Sequence, residues 1–509
     1  MLQTTQKHVF LFLICSTLLG SCTESKGKRQ VTLYKNYCAS CHIAPDLDAL
    51  PKHLWESKVL PEMAARMGIR NPEKHPYMNL PFAEQAEIIK TGIYPEQPII
   101  KLEDWELLKA YILTMAPETL PNKSLVKNSK ELEQFVAEPI SLDGAKGSLI
   151  TYLKHDAKKN KVITGTVRGS LSEFDIQNGN STTIGRFGGP ISDFAEINGT
   201  RYTTSMGQLL PSEISSGQII KKEGDKNVSI AGLLHRPVHT LVHDMDKDGT
   251  DELIVSEFGD LKGKLSLLVQ DEKGNYRKEV LLNQPGTIRV LAKDMNDDGK
   301  DDLVALTSQG DESITILYQK ENFQFDVEKA IRFSSVYGSS WFELVDYDGD
   351  GDEDIITVNG DNADETYIQK PYHGMRIHIN DGNNAFEEKY FYPMNGATRV
   401  ITKDFDADGD IDMAVLSTFP DYGNSPEYVF VYLENKNADS FDFQAFTIKD
   451  INMGKWFLMD SGDIDKDGDE DIILSAFTYG FSPAPQKMTK KWNESRVDLV
   501  FLKNKLINN

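Results

Sequence analysis

Apolar and polar positions change their period twice along the 509-residue chain. An apolar run from Val9 to Leu19 follows Lys7 and gives way to Gly20 and Ser21. It is too short for the roughly 20 residues that span a bilayer, and it has the form of a secretory leader. Apolar side chains then recur three and four apart in Lys52 to Lys58, Pro61 to Met67, Phe82 to Thr91 and Glu103 to Met115, with Pro117 closing the last stretch. That spacing predicts short amphipathic helices. Past residue 140 the helical period vanishes. Short runs such as Leu253-Ile254-Val255 and Ile472-Ile473-Leu474 follow acidic, glycine-bearing loops and predict strands leaving those loops. A small all-α part followed by a larger all-β part is expected.

The acidic loops are copies of one pattern: Asp244-Met245-Asp246-Lys247-Asp248-Gly249, Asp294-Met295-Asn296-Asp297-Asp298-Gly299, Asp346-Tyr347-Asp348-Gly349-Asp350-Gly351, Asp404-Phe405-Asp406-Ala407-Asp408-Gly409 and Asp463-Ile464-Asp465-Lys466-Asp467-Gly468. Their starts lie 50, 52, 58 and 59 residues apart, the spacing of propeller blades. In such a loop carboxylates at positions 1, 3 and 5 converge, glycine at 6 permits the sharp turn, and the carbonyl of 7 adds an oxygen. An acid at 9 closes a hard-cation sphere, and calcium is the expected ion. Position 9 is Glu252, Asp302, Asp354, Asp412 and Asp471. An EF-hand needs Glu at position 12, where this chain has Val255, Ala305, Thr357, Val415 and Leu474; EF-hands are excluded, calcium is not. The loop starting at Asp294 carries Asn296 in place of an acid and is expected to be the weaker site.

Charge and cysteine usage narrow the reading. With 55 Lys+Arg against 78 Asp+Glu the formal charge is −23, the wrong sign for a phosphate backbone, so nucleic acid is excluded as a partner. Five divalent ions would return +10 of that charge. Of the four cysteines, Cys15 falls in the leader and Cys22 directly follows Ser21, leaving Cys38 and Cys41 for the folded part and no disulfide framework. Tyr37-Cys38-Ala39-Ser40-Cys41-His42 is a Cys-x-x-Cys-His motif, whose two thiols can add across the vinyl groups of a haem and whose His42 then ligates the iron. A redox dithiol would want a βαβ context and a zinc site a second ligand pair, and neither is present. The sixth ligand is open between Met63, Met67, Met78, His53 and His75; Met63, set off by Pro61, is the choice. A thioether would raise the reduction potential and a histidine lower it.

Three resemblances follow from these residues. Leu19-Gly20-Ser21-Cys22 resembles a bacterial lipobox, which implies a leader over residues 1–21, a lipidated Cys22, and anchoring in the cell envelope. Thr23 favours the outer membrane, on its periplasmic or surface face. Residues 28–120, from Cys38-Cys41-His42 to the ending Asp104-Trp105-Glu106-Leu107-Leu108-Lys109-Ala110-Tyr111-Ile112, are similar to a class I cytochrome c domain, which implies one covalent haem c and a last helix packing Trp105 and Tyr111 on it. The family's usual ligand loop before that helix has no methionine here, since residues 79–102 contain none. Residues 138–507 resemble the FG-GAP/VCBS repeats of integrin-type propellers, which implies up to five Ca2+. Counted at the repeat spacing, seven blades fit, the first two without acidic loops. Residues 121–137 read as a linker.

Just upstream of the loops stand His235, Arg236 and His239, then Arg289, then Ser339, Ser340 and Trp341, then Arg399, then Lys455 and Trp456. These are expected on innermost strands, where a ring of cations would suit a small anionic or carbohydrate-like ligand; a wet, polar channel is the plainer expectation. His243, next to Asp244, is expected to pack the loop. Three roles remain for the propeller: docking a redox partner protein, catalysing a substrate oxidation that feeds the haem, or adhesion. No G-x-G-x-x-G loop opening a helix and no second metal cluster supports catalysis. The chain therefore reads as an exported electron-transfer protein, and, if an enzyme, as an oxidoreductase.

Overall fold

Strands Glu252–Glu257, Asp302–Thr307, Asp354–Asn359, Asp412–Ser417 and Asp471–Ala476, each entered from an acidic loop, are buried at every residue. A strand shielded on both faces must be covered on both. The computed structural model, which describes residues 26–70, 76–121, 129–224, 226–361, 366–480 and 483–507, shows the cover. Each is the second strand of an antiparallel sheet held between two neighbouring sheets. Seven sheets succeed one another as blades 1 to 7, over residues 150–186, 191–234, 237–282, 287–332, 339–393, 397–447 and 456–504. The protein is a seven-blade β-propeller preceded by helices, and its first two blades carry no acidic loop. The leader 1–21, Cys22 and His75 lie outside the described residues.

The core is a ring of layers between blades. Ile254, Leu265 and Leu267 of blade 3 pack on Val290, Leu303 and Leu317 of blade 4. Ile150, Leu153 and Val162 of blade 1 meet Ile473, Leu499 and Phe501 of blade 7, which closes the circle. The innermost strand of every blade carries a bulge between its first and third residues, for example between Thr287 and Arg289 and between Ala397 and Arg399. A bulge at this place adds local twist.

Two expectations are corrected. Part of the stretch read as linker is sheet: Phe135–Ile140 pairs antiparallel with Leu499–Asn504 as the outermost strand of blade 7, and Lys130–Glu131 runs parallel to Asp442–Thr447 at the edge of blade 6. The open edge of a last blade is satisfied by a strand from the other end of the ring, and Pro139 is tolerated because that strand is an edge. The β part also holds a helix, Gln486–Glu494, whose Trp492 is buried and donates from Nε1 to the Asn452 carbonyl at 3.0 Å.

The N-terminal helices are α1 (Lys26–Leu33), α2 (Lys52–Leu54), α3 (Leu60–Arg66), α4 (Phe82–Thr91) and α5 (Leu102–Met115). Among the described residues no helix is long and apolar enough to cross a membrane. The helices sit on the propeller face formed by loops between second and third strands and between successive blades. Val336 and Ile368 of those loops pack into the helical core, and the Tyr372 hydroxyl donates to the Ala49 carbonyl at 3.0 Å. The acidic loops, between first and second strands, lie on the opposite face.

Glu84 of α4 is the polar anchor of this contact: it accepts from Ser212 Oγ at 2.7 Å and from the Glu213 backbone N–H. Glu84→Ala leaves two propeller donors without their acceptor, at about 1–3 kcal/mol. Faster hydrogen exchange is expected in residues 206–216 and α4, with the blade cores unchanged; unchanged exchange at both would show that the apolar contacts suffice.

Candidate functional site

α1 runs into a wide turn, Tyr34–Cys38, that ends on the first cysteine. Cys38 is half-buried against the helical core and Cys41 is exposed. Burial pushes the Cys38 thiol up to about 12. His42 is half-buried, with Nδ1 2.8 Å from the Ile43 carbonyl oxygen. With the proton on Nδ1 the ring donates there, and the Nε2 lone pair is left for a metal.

The core beside this motif contains Trp55, Met63, Met67 and Trp105 together with Cys38. Trp55 Nε1 is buried and has no acceptor among the described residues. A buried N–H of this kind calls for a partner, and a haem propionate would be one. The donors and this orphaned N–H fit a haem. Met63 and Met67 both stand in the core, whereas Met78 is 46% exposed and His53 is exposed. Pro61 does not break the preceding helix. Instead Trp55–Val59 widens into a π turn, the Leu60 N–H donates back to the Trp55 carbonyl, and α3 resumes at once with Pro61 in its first turn. The first turn is the one place in a helix where a missing N–H costs nothing. Tyr111 packs edge-on against Tyr34 at 6.2 Å.

The acidic loops share one construction. Position 4 takes a left-handed backbone in all five (Lys247, Asp297, Gly349, Ala407, Lys466), and so does the glycine at 6, with φ between 83° and 100°. Ligand oxygens of Asp244, Asp246 and Asp248 lie within 4.8 Å of one another, as do those of Asp346, Asp348 and Asp354, of Asp404, Asp406 and Asp412, and of Asp463, Asp465 and Asp471. The loop with Asn296 forms no such acidic trio with Asp294, Asp298 and Asp302 among the described residues. Asp346 Oδ1 and Asp463 Oδ1 are buried with no hydrogen-bond partner among the described residues, which leaves their lone pairs for a cation. Burial, reinforced by the neighbouring carboxylates, pushes Glu252, Asp412 and Asp471 up to about 7 and Asp354 to about 6. The donor sets fit a hard divalent cation. In blade 7 Lys503 pairs with Asp465 and Asp467, so that loop already holds a positive charge.

Position 5 and position 9 do more than face an ion. Asp248, Asp298 and Asp350 each accept the backbone N–H of position 7, at 2.7, 2.9 and 3.0 Å. The acid at position 9 accepts the N–H of position 2 in all five loops, at 2.9 to 3.1 Å. Two further signals went unread in the sequence. Position 2 is always apolar and buried (Met245, Met295, Tyr347, Phe405, Ile464), which pins each loop to its inter-blade core. The residue before position 1 pairs with position 8 of the next blade: His243 Nε2 is 2.7 Å from Asp301 Oδ2, Lys293 pairs with Glu353, and Lys403 lies 3.8 Å from Glu470. In the remaining case both members are apolar, Val345 and Ile411, on one hydrophobic cluster.

The expected ring of cations is not what lines the bore. Arg289 is 3.0 Å from Glu343 Oε2, its guanidinium lies 3.9 Å from the Trp341 ring centroid, and Arg399 stands 4.4 Å from the same ring. Asp193 and Asp460 face the same strands, each accepting a backbone N–H of the next blade, from Thr240 and His155. Carboxylates thus accompany the arginines. Ser340 Oγ donates to the Ala397 carbonyl, Ser339 accepts from Asn359, Lys455 Nζ donates to the Tyr479 carbonyl and Trp456 is fully buried, so these four serve blade packing. The His235 backbone N–H donates to Glu257 Oε2 at 2.9 Å, and Arg236 lies over Phe258 on the face towards the helices.

Residues 294–357 match the family model of the FG-GAP-like repeat, a span that begins at the acidic loop of blade 4 and ends in the second strand of blade 5. A comparison with curated proteins finds no match. Among solved structures the chain is similar to the N-terminal domain of Nup159, at 10% identity and a TM-score of 0.40, over 74% of this chain and 96% of that one. The chain carries an FG-GAP-like repeat within a seven-blade β-propeller.

Proposed function

We propose that this protein is an exported, lipid-anchored c-type cytochrome whose calcium-stabilised propeller docks a redox partner protein. The observation that carries the reading is Cys38-x-x-Cys41-His42 set against a core that holds Met63, Trp105 and the unpartnered Trp55 N–H. A bound haem would supply one-electron exchange. Cys38 and Cys41 would form the thioethers, the Nδ1–H bond to Ile43 would fix the His42 ring, Met63 would offer its sulfur to the iron, and Trp55 would hold a propionate. Asp244, Asp246, Asp248 and Glu252, with the matching residues of the other four loops, would hold Ca2+ on the face away from the haem.

A second reading, in which the propeller oxidises a small substrate and passes electrons to the haem, is favoured by one pair. Burial pushes Asp193 up to about 6 and His239 down to about 3, and the two lie 3.9 Å apart. Perturbed neighbours of this kind mark acid–base sites in many proteins and structural networks in others.

One spectrum tests both readings. In reduced-minus-oxidised difference spectra of the calcium-loaded soluble form, a haem c band is expected. The Met-to-iron charge-transfer absorption should be lost in Met63→Ala; its retention would move the ligand to Met67 or Met78. Haem reduced by an added small substrate alone would favour the catalytic reading, and haem reduced only by a redox protein would favour docking.

A further inference from the structure

The position 9 carboxylates have a second use that links the loops to one another. The oxygen not bonded to position 2 accepts the backbone N–H of an amide residue at the end of the third strand: Asp302 from Gln319 at 2.7 Å, Asp354 from Asn380 at 2.8 Å, Asp412 from Asn435 at 2.8 Å and Asp471 from Asn504 at 2.9 Å. The side chains of these residues then reach the preceding blade, each time to the position 2 residue of its acidic loop. Gln319 Nε2 donates to the Met245 carbonyl at 3.0 Å, and Asn504 Nδ2 to the Phe405 carbonyl at 2.9 Å. Asn435 Nδ2 donates to the Tyr347 hydroxyl at 3.3 Å. In blade 5 the reach is made in two steps, Asn380 to Asn384 Oδ1 at 3.3 Å and Asn384 Nδ2 to the Met295 carbonyl at 2.5 Å.

All four neighbouring pairs of acidic loops, blades 3 to 7, are joined this way. We propose that these amide bridges couple the five loops into one array, so that Ca2+ binding at one blade favours binding at the next. The inference rests on the calcium reading of the loops. The physical reason is that position 2 lies between two ion ligands and is held twice: its N–H by its own position 9 acid, and its carbonyl, or in blade 5 the Tyr347 hydroxyl, by an amide of the neighbouring blade. A loop ordered by an ion therefore presents a fixed acceptor to that amide. The amide's backbone N–H in turn fixes the position 9 acid of the next loop, lowering the ordering cost of the second ion. Hydrogen bonds behind a metal's ligands commonly change its affinity by about 10–100-fold.

The test is calorimetric titration of the chelator-stripped full chain with Ca2+ alone, in the wild type and in the double variant Gln319→Ala, Asn504→Ala. Neither residue is an expected ligand, and both keep the backbone N–H to position 9. The wild type is expected to bind with a Hill coefficient above 1. The variant should take up the same number of ions with a coefficient falling towards 1. Should the double variant not fold, Asn384→Gly removes the bridge between the loops of blades 4 and 5 at a φ of 61° that suits glycine, and must by itself lower the coefficient. Independent sites in the wild type, or wild-type steepness in the folded variants, overturn the coupling. Absence of any calcium heat overturns the calcium reading beneath it.

Discussion

Chelating calcium is expected to lower the thermal midpoint of the full chain by on the order of 10 °C or more, with the loss confined to blades 3 to 7. An ion bound only by the folded state at 100 times its Kd contributes about 2.7 kcal/mol, and several such sites in one propeller add to on the order of 10 kcal/mol. For a domain of this size each kcal/mol shifts the midpoint by roughly 2 °C. Without ions, the acidic trios whose ligand oxygens approach within 4.8 Å repel one another, and Asp346 and Asp463 keep a buried oxygen unsatisfied. Hydrogen exchange gives the spatial check. The second strands that follow the acidic loops should lose protection, while Lys161–Thr166 and Thr200–Ser205 of blades 1 and 2, which follow no such loop, should keep theirs. A midpoint that ignores the chelator, or a uniform loss of protection, would remove calcium from the account of this fold.

Cys38→Ala together with Cys41→Ala is expected to abolish covalently held haem, with no pigment remaining on the denatured polypeptide where the wild type retains it. Each thioether forms by addition of S–H across a vinyl double bond, sulfur to one carbon and hydrogen to the other, so both thiols are needed and no oxidant is consumed. The helical core should suffer with it. Leu33, Leu50, Leu54, Trp55 and Trp105 are buried there, yet Trp55 leaves a polar N–H unsatisfied, and a unit of under about 100 residues has little stability to spare. Proteolysis is therefore expected to cut within residues 26–115 of the variant while the blades resist. Zinc found in the wild type by elemental analysis, with no haem, would falsify the cytochrome reading.

Much of this was legible in the residues. Five matched acidic loops at blade-like intervals, each followed by an apolar run, specify the propeller because the loop chemistry and the strand period are both local. The Cys-x-x-Cys-His motif is local in the same way. Local rules misjudged the closing strand. Phe135-Val136-Ala137-Glu138-Pro139-Ile140 contains a proline and lies next to a charged stretch, so it reads as linker until the far edge of blade 7 comes to meet it. The polar residues upstream of the loops were misjudged for a related reason. Position along an innermost strand says that a residue is central, but not whether its side chain faces the bore, as with Arg289, or a neighbouring blade, as with Ser340.

The amide bridges escaped the sequence because their spacing from position 9 is set by loop length. Gln319 stands 17 residues after Asp302, Asn435 stands 23 after Asp412, and Asn504 stands 33 after Asp471, so no repeat period reveals them. What the chain alone determined was the set of local devices: the Cys-x-x-Cys-His motif, the acidic turns, and the apolar runs that make strands. What only the tertiary structure decided was which of them meet. The ring brings residue 135 to residue 504, places the helices on one face and the acidic loops on the other, and hands each loop's position 2 to the blade that follows. Contacts between distant segments depend on how blades stack, and stacking is a property of the closed ring.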